Sequence, residues 1–116
     1  MPDLLGFPPL TADEFDGLVA KTELPVCIYL TRKCGEFTRR AHQEFLTAAA
    51  DFKDKIAFFE VDVDAEKALA SRLNVKGVPI LLHMSSGTEQ SALLGFHSVD
   101  ELRKRLWSII STGGDV

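Results

Sequence analysis

Apolar positions recur along this chain with two alternating periods, and the alternation predicts the order of its elements. Thr11-Ala12-Asp13-Glu14 is a capping box, with Thr11 as N-cap and Glu14 three residues on. Phe15, Leu18 and Val19 follow at helical spacing, which predicts a helix over about Ala12–Lys21. After Pro25, the run Val26-Cys27-Ile28-Tyr29-Leu30 is continuously apolar and β-rich, as suits a strand buried on both faces. From about Gly35 to Phe52 one stripe holds Phe37, Ala41, Phe45, Ala48, Ala49 and Phe52. Arg39, Arg40, Gln43, Glu44 and Asp51 fall largely off it, so a long amphipathic helix is predicted. Ile56–Val63 reads as the next strand, Ala65–Leu73 as a short helix stopped at Asn74, and Val78–Met84 as a third strand. Ser85-Ser86-Gly87-Thr88 has hairpin-turn composition and leads into Glu89–Leu94. A second capping box, Ser98-Val99-Asp100-Glu101, opens a terminal helix with Val99, Leu102, Leu106, Ile109 and Ile110 on its buried stripe.

The resulting order is (β)α-β-α-β-α-β-β-α, with a short edge strand allowed in the proline-broken first nine residues. Helix-separated strands imply right-handed parallel crossovers, and the hairpin adds an antiparallel edge pair. The expected fold class is therefore α/β: a central mixed sheet of four to five strands with helices on both faces. A single domain is expected over residues 1–116, its core from about 11 to 110 and a frayed tail over 111–116, where Gly113-Gly114 falls.

Composition narrows the functional classes. The chain has 116 residues, 13 Lys+Arg against 17 Asp+Glu, and a formal charge of −4. This balance gives no general electrostatic drive towards nucleic acid or anionic membranes, which requires clustered positive charge. The longest apolar runs are far shorter than the ~18–20 residues that span a bilayer. The first residues lack the basic and apolar regions of a secretory signal, so a cytoplasmic setting is expected. Two cysteines, Cys27 and Cys34, are too few for a disulfide-stapled scaffold.

Four landmarks, in order, resemble the thioredoxin family from about Thr11 to Ile110. They are Cys34-Gly35 between the first strand and the long helix, the strand-ending Val61-Asp62-Val63-Asp64, Gly77-Val78-Pro79-Ile80, and the glycines Gly87 and Gly95. The resemblance implies the thioredoxin fold and a cis bond before Pro79, beside Cys34. It also implies a groove in which the backbone of Val78 pairs with an extended partner segment, rimmed by Val63, Gly95 and Phe96 and flanked by Lys33 and Gly35.

The departures from the family pattern are chemically linked. In place of Cys-x-x-Cys the chain has Cys34-Gly35-Glu36-Phe37, so Phe37 occupies the resolving position. Lys33 replaces the usual aromatic residue, and the family's buried acid falls at Ile28. Dithiol chemistry needs a second thiol to attack the mixed disulfide. Cys27 is seven residues earlier, at the start of a strand rising ~3.3 Å per residue, whereas a disulfide needs Cα atoms within ~7 Å. Cys27 therefore reads as core filling.

Two readings follow. In one, Cys34 forms mixed disulfides with a protein or peptide partner, and an external thiol such as glutathione resolves them, with no other cofactor. In the other, the chain is a redox-inactive adaptor that holds a partner peptide in the cis-proline groove, and Cys34 is a remnant. Cys-Gly is also the start of the monothiol glutaredoxin motif Cys-Gly-Phe-Ser, but Glu36 and Phe37 depart from it.

The other polar candidates read as structural. His42, His83 and His97 lie on separate elements, and no Cys/His spacing suits zinc. His42 is expected in solvent, His97 is placed to approach the groove, and Asp64 is expected to cap the next helix. Glu101-Leu102-Arg103-Lys104-Arg105 reads as a solvated helix face, and Trp107 as an exposed packing residue or a contact with another chain.

A helix N-terminus and the neighbouring Arg32, Lys33, Arg39 and Arg40 favour a thiolate at Cys34, opposed only by Glu36. Its alkylation by iodoacetamide should therefore titrate with a midpoint below the free-thiol value of about 8.5; a midpoint at or above that value removes the case for activation.

Overall fold

A computed structural model describes residues 9–21, 24–32, 36–85 and 88–113. The sheet is built around strand β1 (Val26–Thr31), every residue of which is buried up to Leu30. On one side β1 pairs in parallel with β2 (Ala57–Asp62), from Val26↔Ala57 to Thr31↔Asp62. On the other it pairs antiparallel with β3 (Ile80–Ser85), from Val26↔Met84 to Leu30↔Ile80. The hairpin strand β4 (Thr88–Leu94) closes the order β2-β1-β3-β4, with an irregularity between His83 and Met84. Gly87, in the hairpin turn, lies outside the described residues.

The antiparallel β1–β3 pairing corrects the expectation that helix-separated strands run parallel. The helix between β2 and β3, α3 (Lys67–Arg72), has six residues. At 1.5 Å per residue it is about 9 Å long, too short to return along a strand of about 20 Å. The chain instead passes over the end of β1 and enters β3 from the end at which it left β2.

Alternating side chains of the sheet feed two cores. Val26, Ile28 and Leu30 of β1 pack with Val61, Ile80, Leu82 and Met84, covered by Phe15 of α1 (Ala12–Lys21) and Leu69 of α3. Cys27 and Tyr29 face the other way, with Phe58 and Leu81. That face is covered by Phe45 and Ala48 of α2 (Glu36–Ala49), Phe52 of the following 3-10 turn, and Leu102, Leu106 and Ile109 of α4 (Val99–Gly113). The side chains of Leu18, Val19 and Phe37 lie outside the described residues.

Local chemistry sets the helix ends. Both capping boxes form: Thr11 and Ser98 accept the N–H of Glu14 and Glu101 at 3.3 and 3.2 Å, and each Glu accepts the cap residue's own N–H. Asn74 ends α3 with φ 60, where Asn is among the few side chains tolerated. The Asn74 N–H donates to Ser71 and the Val75 N–H to Ala70, a Schellman arrangement that satisfies the last carbonyls.

Three boundaries differ from the sequence reading. The α4 helix runs to Gly113, so residues 111–113 continue the helix rather than fray. Leu10, outside the expected core limits, is fully buried, and its N–H donates to the Glu60 carbonyl beside an isolated Pro9–Glu60 bridge. That bridge is all that forms of the allowed edge strand among the described residues. The α3 N-cap is Glu66 without a side-chain cap; Asp64 does not serve, and Asp62 instead accepts the Asp64 N–H at 3.0 Å.

Phe45 is fully buried, stacks on Tyr29 at 4.3 Å and meets Phe58 edge-on at 5.8 Å. Its replacement, Phe45→Ala, should cost about 3–5 kcal/mol in urea unfolding. A loss below about 1 kcal/mol, the range of surface changes, would show that this packing does not hold α2 to the sheet.

Candidate functional site

The described groove residues meet at one end of the sheet, and backbone pairing brings them there. The Leu30↔Ile80 register sets Pro79 beside the end of β1. The Val63 N–H donates to the Thr31 carbonyl at 3.0 Å, and the Gly95 N–H donates to the Pro79 carbonyl at 2.9 Å. The Val78–Pro79 bond is cis, and Gly95 has φ 103, a conformation that strains any residue with a Cβ. Among the described residues no backbone hydrogen bond engages Val78, which leaves its N–H and C=O for an extended segment.

The groove side chains differ in depth. Val78, Pro79 and Gly95 are partly exposed, and Phe96 is 44% exposed beside Leu94 at 54%. Val63 is buried in the first core with Val78 packed against that cluster, so it supports the groove from beneath rather than forming its rim. Lys33, Cys34 and Gly35 lie outside the described residues.

The structure gives Cys27 a definite role. It is free and fully buried, and desolvation pushes its thiol up to about 12. It stands at the second position of β1, about 13 Å of strand before Thr31. Ile28, at the position of the family's buried acid, is likewise fully buried among aliphatic side chains. Among the described residues His83 is the one polar or charged side chain in the buried set, so neither core holds a carboxylate to relay a proton. Burial and the charge of Arg105 lower the His83 pKa, which keeps the ring neutral.

A polar cluster behind the site was missed from sequence. His42, expected in solvent, lies partly buried and donates from Nε2 to Glu60 Oε2 at 2.6 Å. Its ring also stacks on Tyr29 at 5.7 Å. Burial, with the Glu60 charge, raises the Tyr29 pKa well above its ordinary value. The signal was present: Glu60 interrupts the apolar strand Phe58-Phe59-Glu60-Val61, on the same face as Phe58, and that face must meet a helix.

His97 lies beside the groove's Gly95, its Nε2 4.0 Å from where a Cβ on that glycine would stand. Nε2 donates to the Leu94 carbonyl at 3.1 Å, and Nδ1 lies 3.4 Å from Glu101, whose carboxyl is held low first by the Ser98 N–H and then by His97. Arg32 pairs with Asp64 at 3.5 Å where β1 ends. Trp107, half exposed, meets Phe52 edge-on at 5.5 Å, so it packs within its own chain. The described residues contain no group of three or more His, Cys, Asp or Glu able to hold a metal, and no helix among them is long and apolar enough to cross a membrane.

Comparison with known proteins agrees with this geometry. The family model described as Thioredoxin matches residues 7–108. The chain is 34% identical over 84 residues to the protein disulfide-isomerase erp38 of Neurospora crassa, covering 70% of this chain and 23% of that protein. It is 39% identical over 62 residues to the thioredoxin-like protein CXXS1 of Arabidopsis thaliana, covering 53% of this chain and 51% of that one. The chain thus spans about half or less of the length of these curated relatives. The crystal structure of thioredoxin from Trypanosoma brucei brucei superposes with a TM-score of 0.79 at 18% identity, covering 91% of each chain, a likeness of fold.

The burial of Cys27 has consequences that can be measured. In the native protein at pH 8, a thiol reagent should modify one cysteine quickly and Cys27 only after unfolding; two equal rates would contradict the burial. Below pH 9.0 the Cys27 thiol is protonated in both states. Above it the unfolded chain ionises while the folded thiol stays protonated until about 12, so stability should fall as pH rises through that window. Cys27→Ala should flatten that decline, and an unchanged slope would assign it to other groups.

Proposed function

The chain belongs to the thioredoxin family, and from that premise we propose that it acts in thiol–disulfide exchange through the single thiol of Cys34. The observation that carries the proposal is the burial of Cys27. The sequence contains two cysteines, one is sealed in the core with its thiol raised to about 12, and Phe37 stands where a resolving cysteine would be. A disulfide formed by Cys34 must therefore be released by a thiol from outside the chain.

The exchange balances without another cofactor. The Cys34 thiolate attacks one sulfur of a partner disulfide, a new S–S bond forms, and the other partner sulfur leaves as a thiolate that takes a proton from solvent. A low-molecular-weight thiol such as glutathione, as its thiolate, then attacks the partner sulfur of the mixed disulfide. Cys34 is regenerated, and the partner leaves as a disulfide with the external thiol. No electron remains unassigned in either step.

In this reading the cis-proline groove orients the partner. An extended segment lies along Val78, accepting a main-chain hydrogen bond from its N–H and donating one to its C=O, while Pro79, Gly95 and exposed Phe96 contact its side chains. Lys33 and Gly35 flank Cys34 in sequence. The aliphatic surroundings of Ile28 support a monothiol cycle, because the family's proton relay serves a resolving thiol that this chain lacks.

A redox-inactive adaptor with the same groove is the competing reading, and Cys34→Ser separates the two. The variant should lose mixed-disulfide formation with oxidised glutathione and with a disulfide-containing peptide, read by intact-protein mass. Full retention of partner binding together with an inert wild-type Cys34 would instead establish the adaptor. Insulin reduction without added thiol should be absent, since it requires a second thiol.

A further inference from the structure

Beside the groove, an open cleft of about 310 Å³ runs between β4 and α4, lined by Leu93, His97, Glu101, Lys104, Arg105 and Ser108. Glu101, Lys104, Arg105 and Ser108 are spaced i, i+3, i+4 and i+7 and so form one stripe of the helix. His97, which precedes the helix, brings the lining up to the groove's Gly95, where a Cβ would stand 4.0 Å from its Nε2.

The charges in this cleft are not balanced from within. Of the three consecutive cations of α4, Arg103 pairs with Asp51 at 3.7 Å, whereas Lys104 and Arg105 form no ion pair among the described residues. Glu101, the one acid in the lining, accepts the Ser98 N–H at 3.1 Å, lies 3.4 Å from His97 and also feels the Lys104 charge, so one acid faces two cations. Beneath the helix, His83 is buried, its Nε2 has no hydrogen-bond partner among the described residues, and burial together with the Arg105 charge disfavours its protonation. Leu93 is the one apolar residue in the lining, which suits charged side chains better than a small apolar ligand.

We propose that the α4–β4 cleft is a docking site for an acidic segment of a protein partner, with Lys104 and Arg105 taking its carboxylates and Ser108 donating a hydroxyl. The site goes beyond the thiol reading and does not depend on Cys34. Arg105 is suited to bidentate carboxylate recognition, and Lys104 adds a flexible point charge. An acidic partner is otherwise repelled by a chain of net charge −4, so local attraction here selects where it binds.

Fluorescence anisotropy on the full chain tests the site, with a labelled Glu-Gly repeat peptide and its Gln-Gly counterpart as probes. At ~0.1 M salt the Debye length is about 10 Å, which screens the distant charges. The Glu-Gly peptide should bind and the Gln-Gly peptide should not. Lys104→Gln with Arg105→Gln should weaken binding about fivefold or more, as two exposed ion pairs allow, with an unchanged circular dichroism spectrum. The control pair Lys55→Gln with Lys67→Gln removes the same charge from exposed sites elsewhere and should leave binding within about twofold. Equal losses in both variants, equal binding of both peptides, or no binding to the wild type would each overturn the proposal.

Discussion

Strand β1 is buried on both faces and paired on both edges, and the rest of the molecule depends on it. Val26, Ile28 and Leu30 anchor one core while Cys27 and Tyr29 anchor the other. A one-residue slip of this strand would exchange the two sets and misplace every contact to α1, α2, α3 and α4. The same strand fixes the site. Its pairing with β3 sets Pro79 at its end, and its pairing with β2 draws Val63 in beneath. Cys27 is sealed off for the same reason that the fold is stable: its position in β1 points into the second core.

The elements whose signals are local were legible in the sequence. Both capping boxes form as read, Asn74 ends α3 by adopting positive φ, and the helical stripes of α2 and α4 face the core they imply. The groove residues on described elements were legible only through the family resemblance, because the sheet register that gathers Pro79 and Gly95 leaves no trace in local spacing. Features that depend on long-range geometry were misread. The direction of β3 follows from the length of α3 against the length of a strand, which hydrophobic period alone does not encode. His42 was placed in solvent because its neighbours on α2 are basic; its partner Glu60 lies 18 residues on, across the sheet. The continuation of α4 to Gly113 passes the last apolar position, where the stripe no longer gives a signal.

The thiol chemistry and the cationic cleft have separate physical bases. Attachment through one thiol is only transient, since any accessible external thiol can release the partner. Residence time and partner choice must then come from non-covalent contacts. On the proposed readings, the Val78 backbone and the exposed Phe96 would contribute such contacts without regard to charge, and the α4 stripe would add a preference for acidic sequences. The His42–Glu60 pair, stacked on Tyr29, holds α2 against the sheet and so keeps the helix that follows Cys34 in sequence in register with the groove.

On the proposed function, one thiol forms the disulfide and none within the chain can release it. The most direct test is the release of a thiol-linked adduct, followed by intact-protein mass after loading the folded protein with oxidised glutathione. A single adduct on Cys34 should persist after excess oxidant is removed and decay at a rate proportional to added thiol. Spontaneous loss of the adduct with formation of a Cys27–Cys34 disulfide would contradict the proposed function.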